Sequence, residues 1–130
     1  MINLYMDGLI KAIITLSVLD FIYLKLTGNI FNSLIKKIQH NNLNLRLYST
    51  FMVYLLIFIM WVIFIYNERH KYTLKENVLR GALLGLTTYG IFDFTNHAIF
   101  EHWNLKIVVM DTLWGAILYS LITFLSIYKF

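Results

Sequence analysis

Four long apolar stretches alternate with short polar ones along the chain. The first runs from about Leu9 to Leu26 and encloses Lys11, Asp20 and Lys25, while the second, Leu47 to Tyr66, holds no charge at all. The third, about Val78 to Phe100, contains Arg80 and Asp93, and the fourth, about Leu105 to Tyr128, contains Lys106 and Asp111. Each approaches the ~20 residues with which an α-helix crosses a hydrocarbon core of ~30 Å. A water-soluble fold has nowhere to bury Leu47–Tyr66 beside three comparable neighbours. The pattern therefore predicts an all-α fold, a four-helix transmembrane bundle formed by one integral membrane domain over residues 1–130, with both termini on the same side. The first stretch is expected to be a membrane helix and not a cleaved leader. Met1–Gly8 carries Asp7 and no basic residue, and no small-residue cleavage site follows the apolar run.

The connections add detail. Ile30, Phe31, Leu34, Ile35 and Ile38 recur at helical spacing, with Lys36, Lys37 and Gln39 on the other face. This predicts a short amphipathic helix between spans one and two, either lying in the interface plane or packed over the end of the bundle. Thr73-Leu74-Lys75-Glu76 has the form of a capping box, so the third helix should begin ahead of its apolar part. Glu101–Asn104 is a tight turn that makes spans three and four antiparallel neighbours. Six basic residues (Lys11, Arg69, Lys71, Lys75, Arg80, Lys129) fall on the side of the termini and five (Lys25, Lys36, Lys37, Arg46, Lys106) opposite. That balance sets no orientation.

Composition agrees with the pattern. Hydrophobic residues make up 59% of the 130, and charged residues only 14%, against roughly 45–50% and ~25% in soluble domains. The net charge of +4 is scattered between apolar runs, so no nucleic-acid partner is expected; the lipid bilayer is. Cysteine is absent, which excludes disulfides, thiolate metal sites and thiol nucleophiles. Abundant Ile, Asn, Lys, Phe and Tyr point to an AT-rich genome: a virus, an intracellular parasite or an AT-rich bacterium.

The candidate chemistry lies in the depth of the acidic residues. Asp20 and Asp93 sit near the outgoing ends of spans one and three, Asp111 near the incoming end of span four. In an antiparallel bundle all three ends lie on the side opposite the termini, and at 1.5 Å per residue each carboxylate sits roughly 7–11 Å inside. Tyr48, Ser49, Thr50 and Tyr54 of span two reach the same layer. Tyr89, Asp93 and Asn96 form one stripe on span three, with His97 beside it. Asp111, Trp114, Gly115 and Tyr119 form the matching stripe on span four, and Ser17, Asp20 and Tyr23 a smaller one on span one. Ionisable residues in a span are costly unless they face the bundle interior. Asp20, Tyr89, Asp93, Asn96, Asp111 and Trp114 are therefore expected to form one ligand or ion pocket, with Asp93 central and Asp111 meeting it directly. The alternative is a purely structural hydrogen-bond network.

Asp93 with His97, one turn apart, makes the two candidate ligands for a divalent cation, although no paired metal-binding signature accompanies them. Gly81-x-x-x-Gly85 is a small-xxx-small element that permits close helix approach. Trp61, Tyr66, Tyr72, Trp103 and Tyr128 fall where an interfacial aromatic belt would lie. No phosphate-binding loop, dinucleotide fingerprint, nucleophile elbow or channel filter is present.

Leu19-Asp20, Gly81-x3-Gly85-x3-Tyr89-x3-Asp93-Phe94-Thr95-Asn96 and Asp111-Thr112-Leu113-Trp114-Gly115 together resemble the domain of unknown function 2177 family. Its members are small four-span membrane proteins of bacteria and some large DNA viruses. The resemblance covers nearly the whole chain. Two positions depart from the family pattern: Phe92 stands where a second Tyr is frequent, and Tyr23-Leu24 where a Trp-Leu pair is more usual. The resemblance implies the architecture and supplies no activity. Three functional classes follow from the residues themselves. They are transport or permeation through a cation- or proton-binding carboxylate layer, which in so small a chain calls for a homo-oligomer; a membrane-embedded enzyme acting on a lipid or isoprenoid; and a scaffold in which the polar layer only fixes helix register.

Overall fold

Four α-helices make up most of the chain: α1 (Ile2–Gln39), α2 (Leu47–Trp61), α3 (Leu74–Ile99) and α4 (Leu105–Ile127). The computed structural model describes residues 2–129, and no strand occurs among them. α2 runs on through a π-helical turn, Val62–Tyr66, and a 3-10 turn follows at Arg69–Lys71.

α1 is longer than the apolar stretch that nucleates it. Its 38 residues extend about 57 Å at 1.5 Å per residue. The segment Ile30–Ile38 is helical, as its periodicity predicts, but it is the unbroken continuation of α1 and not a separate helix. Gly28 lowers helix propensity there by up to about 1 kcal/mol yet removes no hydrogen bond, and no proline stands nearby to break the ladder. Leu34 is buried against Trp103, Ile107 and Val108, with Phe31, Ile35 and Ile38 around it. Of the two readings of the amphipathic segment, packing over the bundle end is the one realised. His40, at φ 61°, ends the helix in the left-handed region.

Two segments, Leu47–Lys71 and Leu105–Ile127, are long and apolar enough to cross a membrane, with mean hydropathies of 2.3 and 1.8. Outward-facing apolar side chains occur on every helix: Ile14 and Phe21, Phe51 and Leu56, Leu83 and Ile91, Leu113 and Ile117. Apolar surface this extensive suits lipid and not water. Inside, Ala12 and Leu16 of α1 and Ile57 and Trp61 of α2 meet Leu118, Tyr119 and Ile122 of α4.

The largest helix–helix interface joins α3 and α4. Glycine makes it possible. A Cβ placed on Gly85 would run into the backbone carbonyl of Gly115, and one placed on Gly81 would come within 2.9 Å of the Tyr119 carbonyl. The backbones thus touch where the small-residue spacing allows it.

Two arginines from outside the π segment donate to its main-chain carbonyls. Arg80 Nη2 donates to Phe64 O at 2.6 Å and Arg69 Nη1 to Tyr66 O at 2.6 Å. α3 then starts as its sequence predicts: Thr73 Oγ1 accepts from the Glu76 amide at 3.2 Å, and Glu76 Oε2 accepts from the Thr73 amide at 2.7 Å. Those donors hold the Glu76 carboxyl below its ordinary value. Because the folded-state value is the depressed one, this contribution is present above the unfolded glutamate range and is lost as pH falls through the folded value. Thr73→Ala should cost about 1 kcal/mol and reduce the Glu76 part of the acid sensitivity without abolishing it, because the hydroxyl donor to Glu76 Oε2 is lost while the backbone amide still donates. Thermal unfolding of the detergent-solubilised protein from neutral to acid pH measures both effects.

Candidate functional site: a layer of three carboxylates

α1, α3 and α4 each bring one aspartate into the bundle. Asp20 is 6%, Asp93 0% and Asp111 6% exposed, so the expected inward orientation holds for all three. Carboxylates so placed require donors, and aromatic side chains supply most of them. Trp114 Nε1 donates to Asp20 Oδ1 at 3.0 Å, and the Tyr54 hydroxyl of α2 donates to Asp20 Oδ2. The Tyr23 hydroxyl donates to Asp111 Oδ1 at 2.7 Å. Trp103 Nε1 donates to Asp93 Oδ1 at 3.2 Å.

Two features knit these contacts into one layer. The Tyr23 and Trp114 rings stack face to face, 4.6 Å between centroids and 6° from parallel. One stacked pair therefore serves two carboxylates, Asp111 through Tyr23 and Asp20 through Trp114. The second feature is the Asp93–Asp111 pair, whose carboxyls lie within hydrogen-bonding reach of each other. Asp93 Oδ2 is fully buried and has no donor. Two carboxylates are acceptors only, so this contact becomes a hydrogen bond when a proton lies between them.

Not every expected member joins. Tyr89 packs its ring against Gly115 and edge-on to Tyr119, 6.3 Å between centroids. It lies within electrostatic reach of Asp20 and Asp111 but hydrogen-bonds to neither. Asn96 is half-buried, and its side chain makes no hydrogen bond among the described residues. His97 does not pair with Asp93. Its Nδ1 lies 2.5 Å from the Trp103 carbonyl, which can only accept, so Nδ1 carries the proton and the ring ties down the α3–α4 turn. Among the described residues no three of His, Cys, Asp and Glu are placed to share a metal. The side chain beside Asp93 is instead Trp103, brought back over it by the turn.

Several aromatics assigned to an interfacial belt are interior residues. Trp61 and Tyr66 are 1% exposed and Trp103 5%. Each has found an internal acceptor: Trp61 Nε1 on Thr123 Oγ1 at 3.0 Å, the Tyr66 hydroxyl on Tyr5 O at 2.8 Å, and Trp103 on Asp93. Tyr72 and Tyr128 remain outward, each 42% exposed.

The model of a family described as a predicted membrane protein, domain of unknown function 2177, matches residues 5–128. The chain belongs to that family. No curated protein and no solved structure matches it. The match spans all four helices and all three aspartates. Tyr23 lies in the carboxylate layer, where its hydroxyl gives Asp111 a donor. Phe92 stays on the outside, 56% exposed, with its ring edge-on to Trp103.

Proposed function

We propose that the protein is a four-span membrane protein, with both termini on one side, whose carboxylate layer binds and releases protons in transport or permeation. One observation carries this reading: Asp93 has a fully buried Oδ2 without a donor, on a carboxyl within hydrogen-bonding reach of that of Asp111. Asp20 differs, since both of its oxygens already accept hydrogen bonds, from Trp114 and Tyr54. It supports the layer and is not its open position. A proton satisfies two facing carboxyls with no further ligand, whereas a divalent ion needs about six oxygens. The donor set around Asp93 and Asp111 thus favours the proton over the metal. Intramembrane ionisable groups serve proton relays in this way. Four helices of so short a chain leave little room for a pore of their own, so permeation is assigned to a homo-oligomer.

The test is proton uptake by liposomes that hold the purified protein and a trapped pH-sensitive dye, driven by a potassium diffusion potential. Wild-type vesicles should acidify faster than empty ones, and Asp111→Asn should return the rate to the empty-vesicle value. Uptake equal to that of empty vesicles in the wild type, or unchanged by Asp111→Asn, leaves the layer as a register-fixing network only.

A further inference from the structure

At the end of the bundle opposite the carboxylates lies a cavity of about 420 Å³. Ser126, which lines it, follows Asp111 by 15 residues of α4, or about 22 Å along the helix axis. Lys11, Arg69, His70 and Lys129 line the cavity, with Asp7 as the single carboxylate side chain among the described residues of the wall. Lys11 pairs with Asp7 at 2.7 Å, so the described side chains of the wall keep a net positive charge. Arg69 is fixed in place. Its guanidinium stacks 4.0 Å over the Tyr66 ring, and Nη1 is held by the Tyr66 carbonyl. A guanidinium has five N–H donors, and among the described residues only the Tyr66 carbonyl accepts from Arg69.

A second, independent feature points to a ligand. Ser126 is 7% exposed, and its Oγ is buried with no hydrogen-bond partner. A buried hydroxyl left this way is costly, and a turn of the Ser126 side chain, whose Oγ is covered, would let an acceptor in the cavity bond to it. The remaining wall is made of three tyrosines, Tyr5, Tyr66 and Tyr128, and of apolar side chains, Ile2 and Leu4 of α1 and Ile127 of α4. Ile2 and Leu4 are 80% and 63% exposed, so the apolar wall continues onto the outer face of α1.

We infer that this cavity binds a phosphate group, and that the phosphate is that of an anionic lipid. The chemistry calls for an anion with several acceptor oxygens, matched to one oriented guanidinium, two lysines and a hydroxyl. The apolar continuation onto the outside of α1 gives the acyl chains a place to lie, which a free phosphate would leave bare. Basic pockets between membrane helices hold anionic headgroups by the same combination of charges. The site is independent of the carboxylate layer, and Asp93→Asn should leave it intact.

The experiment uses the full chain purified in a neutral detergent and probes it with phosphatidylglycerol, phosphatidylcholine and inorganic phosphate. Bound lipid is counted by native mass spectrometry, and the thermal midpoint is followed by tryptophan fluorescence. Phosphatidylglycerol should be retained and raise the midpoint, and phosphatidylcholine should not. Lys11→Gln and Lys129→Gln should each weaken retention roughly fivefold. Ser126→Ala should raise the midpoint without lipid, because an unpartnered hydroxyl is gone, and reduce the increment that phosphatidylglycerol gives. Inorganic phosphate that competes fully and stabilises as well as the lipid would keep the phosphate site and overturn the lipid assignment. Two results would overturn the site itself: equal retention of both lipids, or an equal loss from Lys36→Gln with Lys37→Gln at the far end of α1.

Discussion

Gly85→Ala is expected to destabilise the protein by about 3 kcal/mol, the upper part of the range for overpacking a close contact. The reason lies in what the new methyl group would meet. At Gly85 it would press on the Gly115 carbonyl, and main chain cannot swing aside as the tip of a flexible side chain can. From the other side, a Cβ on Gly115 would strike the Tyr89 side chain, 2.5 Å from its Cγ, and come within 2.6 Å of the Gly85 carbonyl oxygen. Either change forces α3 and α4 apart along the interface that carries most of the helix packing. A third glycine supplies the control. At Gly90 a Cβ would lie 3.4 Å from Thr112 Cγ2, an ordinary contact. Gly90→Ala should therefore be neutral or stabilise the helix by roughly 0.5–1 kcal/mol. Unfolding of all three variants in mixed micelles, read by tryptophan fluorescence, gives the comparison. Equal stability of Gly85→Ala and wild type would mean that the two backbones do not touch.

That interface was half legible in the sequence. Gly81 and Gly85 stand four apart on one face of an apolar helix, and the short turn after Phe100 makes α4 the neighbour. The partner residue, Gly115, was visible only as a member of a polar stripe. Nothing in a one-dimensional pattern says that its missing side chain is what Gly85 and Tyr89 pack against. The same limit explains α1. Periodicity gives the correct inward face for Phe31, Leu34, Ile35 and Ile38, since that depends on spacing alone, whereas Ile30, expected on the same face, is 46% exposed at its edge. Whether the helix bends into a membrane interface or continues straight depends on what lies opposite, here Trp103, Ile107 and Val108.

For the site, depth was the readable quantity. Counting residues from the span ends placed Asp20, Asp93 and Asp111 in one layer, because a helix rises by a fixed amount per residue. Their burial was also predictable, since a charge facing lipid costs several kcal/mol. The donors were harder to find. Asn96 sits at helical spacing from Asp93 yet makes no side-chain hydrogen bond. Trp103 lies outside the span by sequence and supplies the donor to Asp93. Turn residues follow no helical period, so their side chains cannot be aimed from spacing. Tyr23 was in the right stripe, but its stacking on Trp114 is a contact across helices.

Trp103 is consequently where the second large effect is expected. Trp103→Ala should cost about 3–5 kcal/mol, the range for truncating a buried large aromatic. The indole sits among Phe31 at 6.4 Å and Phe92 at 5.9 Å between ring centroids, so its loss opens a cavity between α1, α3 and the turn. It also leaves Asp93 Oδ1 without its donor, beside an Oδ2 that has none. A carboxyl buried with both oxygens unpaired adds its own penalty. Trp103→Phe separates the two contributions: it keeps most of the packing and removes only the N–H. It should cost less than the alanine variant, and replacing Asp93 by leucine in the same chain should recover part of that loss. The double-mutant cycle measures the coupling, expected between 0.5 and 3 kcal/mol for groups in direct contact. A coupling of zero would mean that Trp103 acts on the fold through packing alone, and that Asp93 is held in the layer by α3 and Asp111 without it.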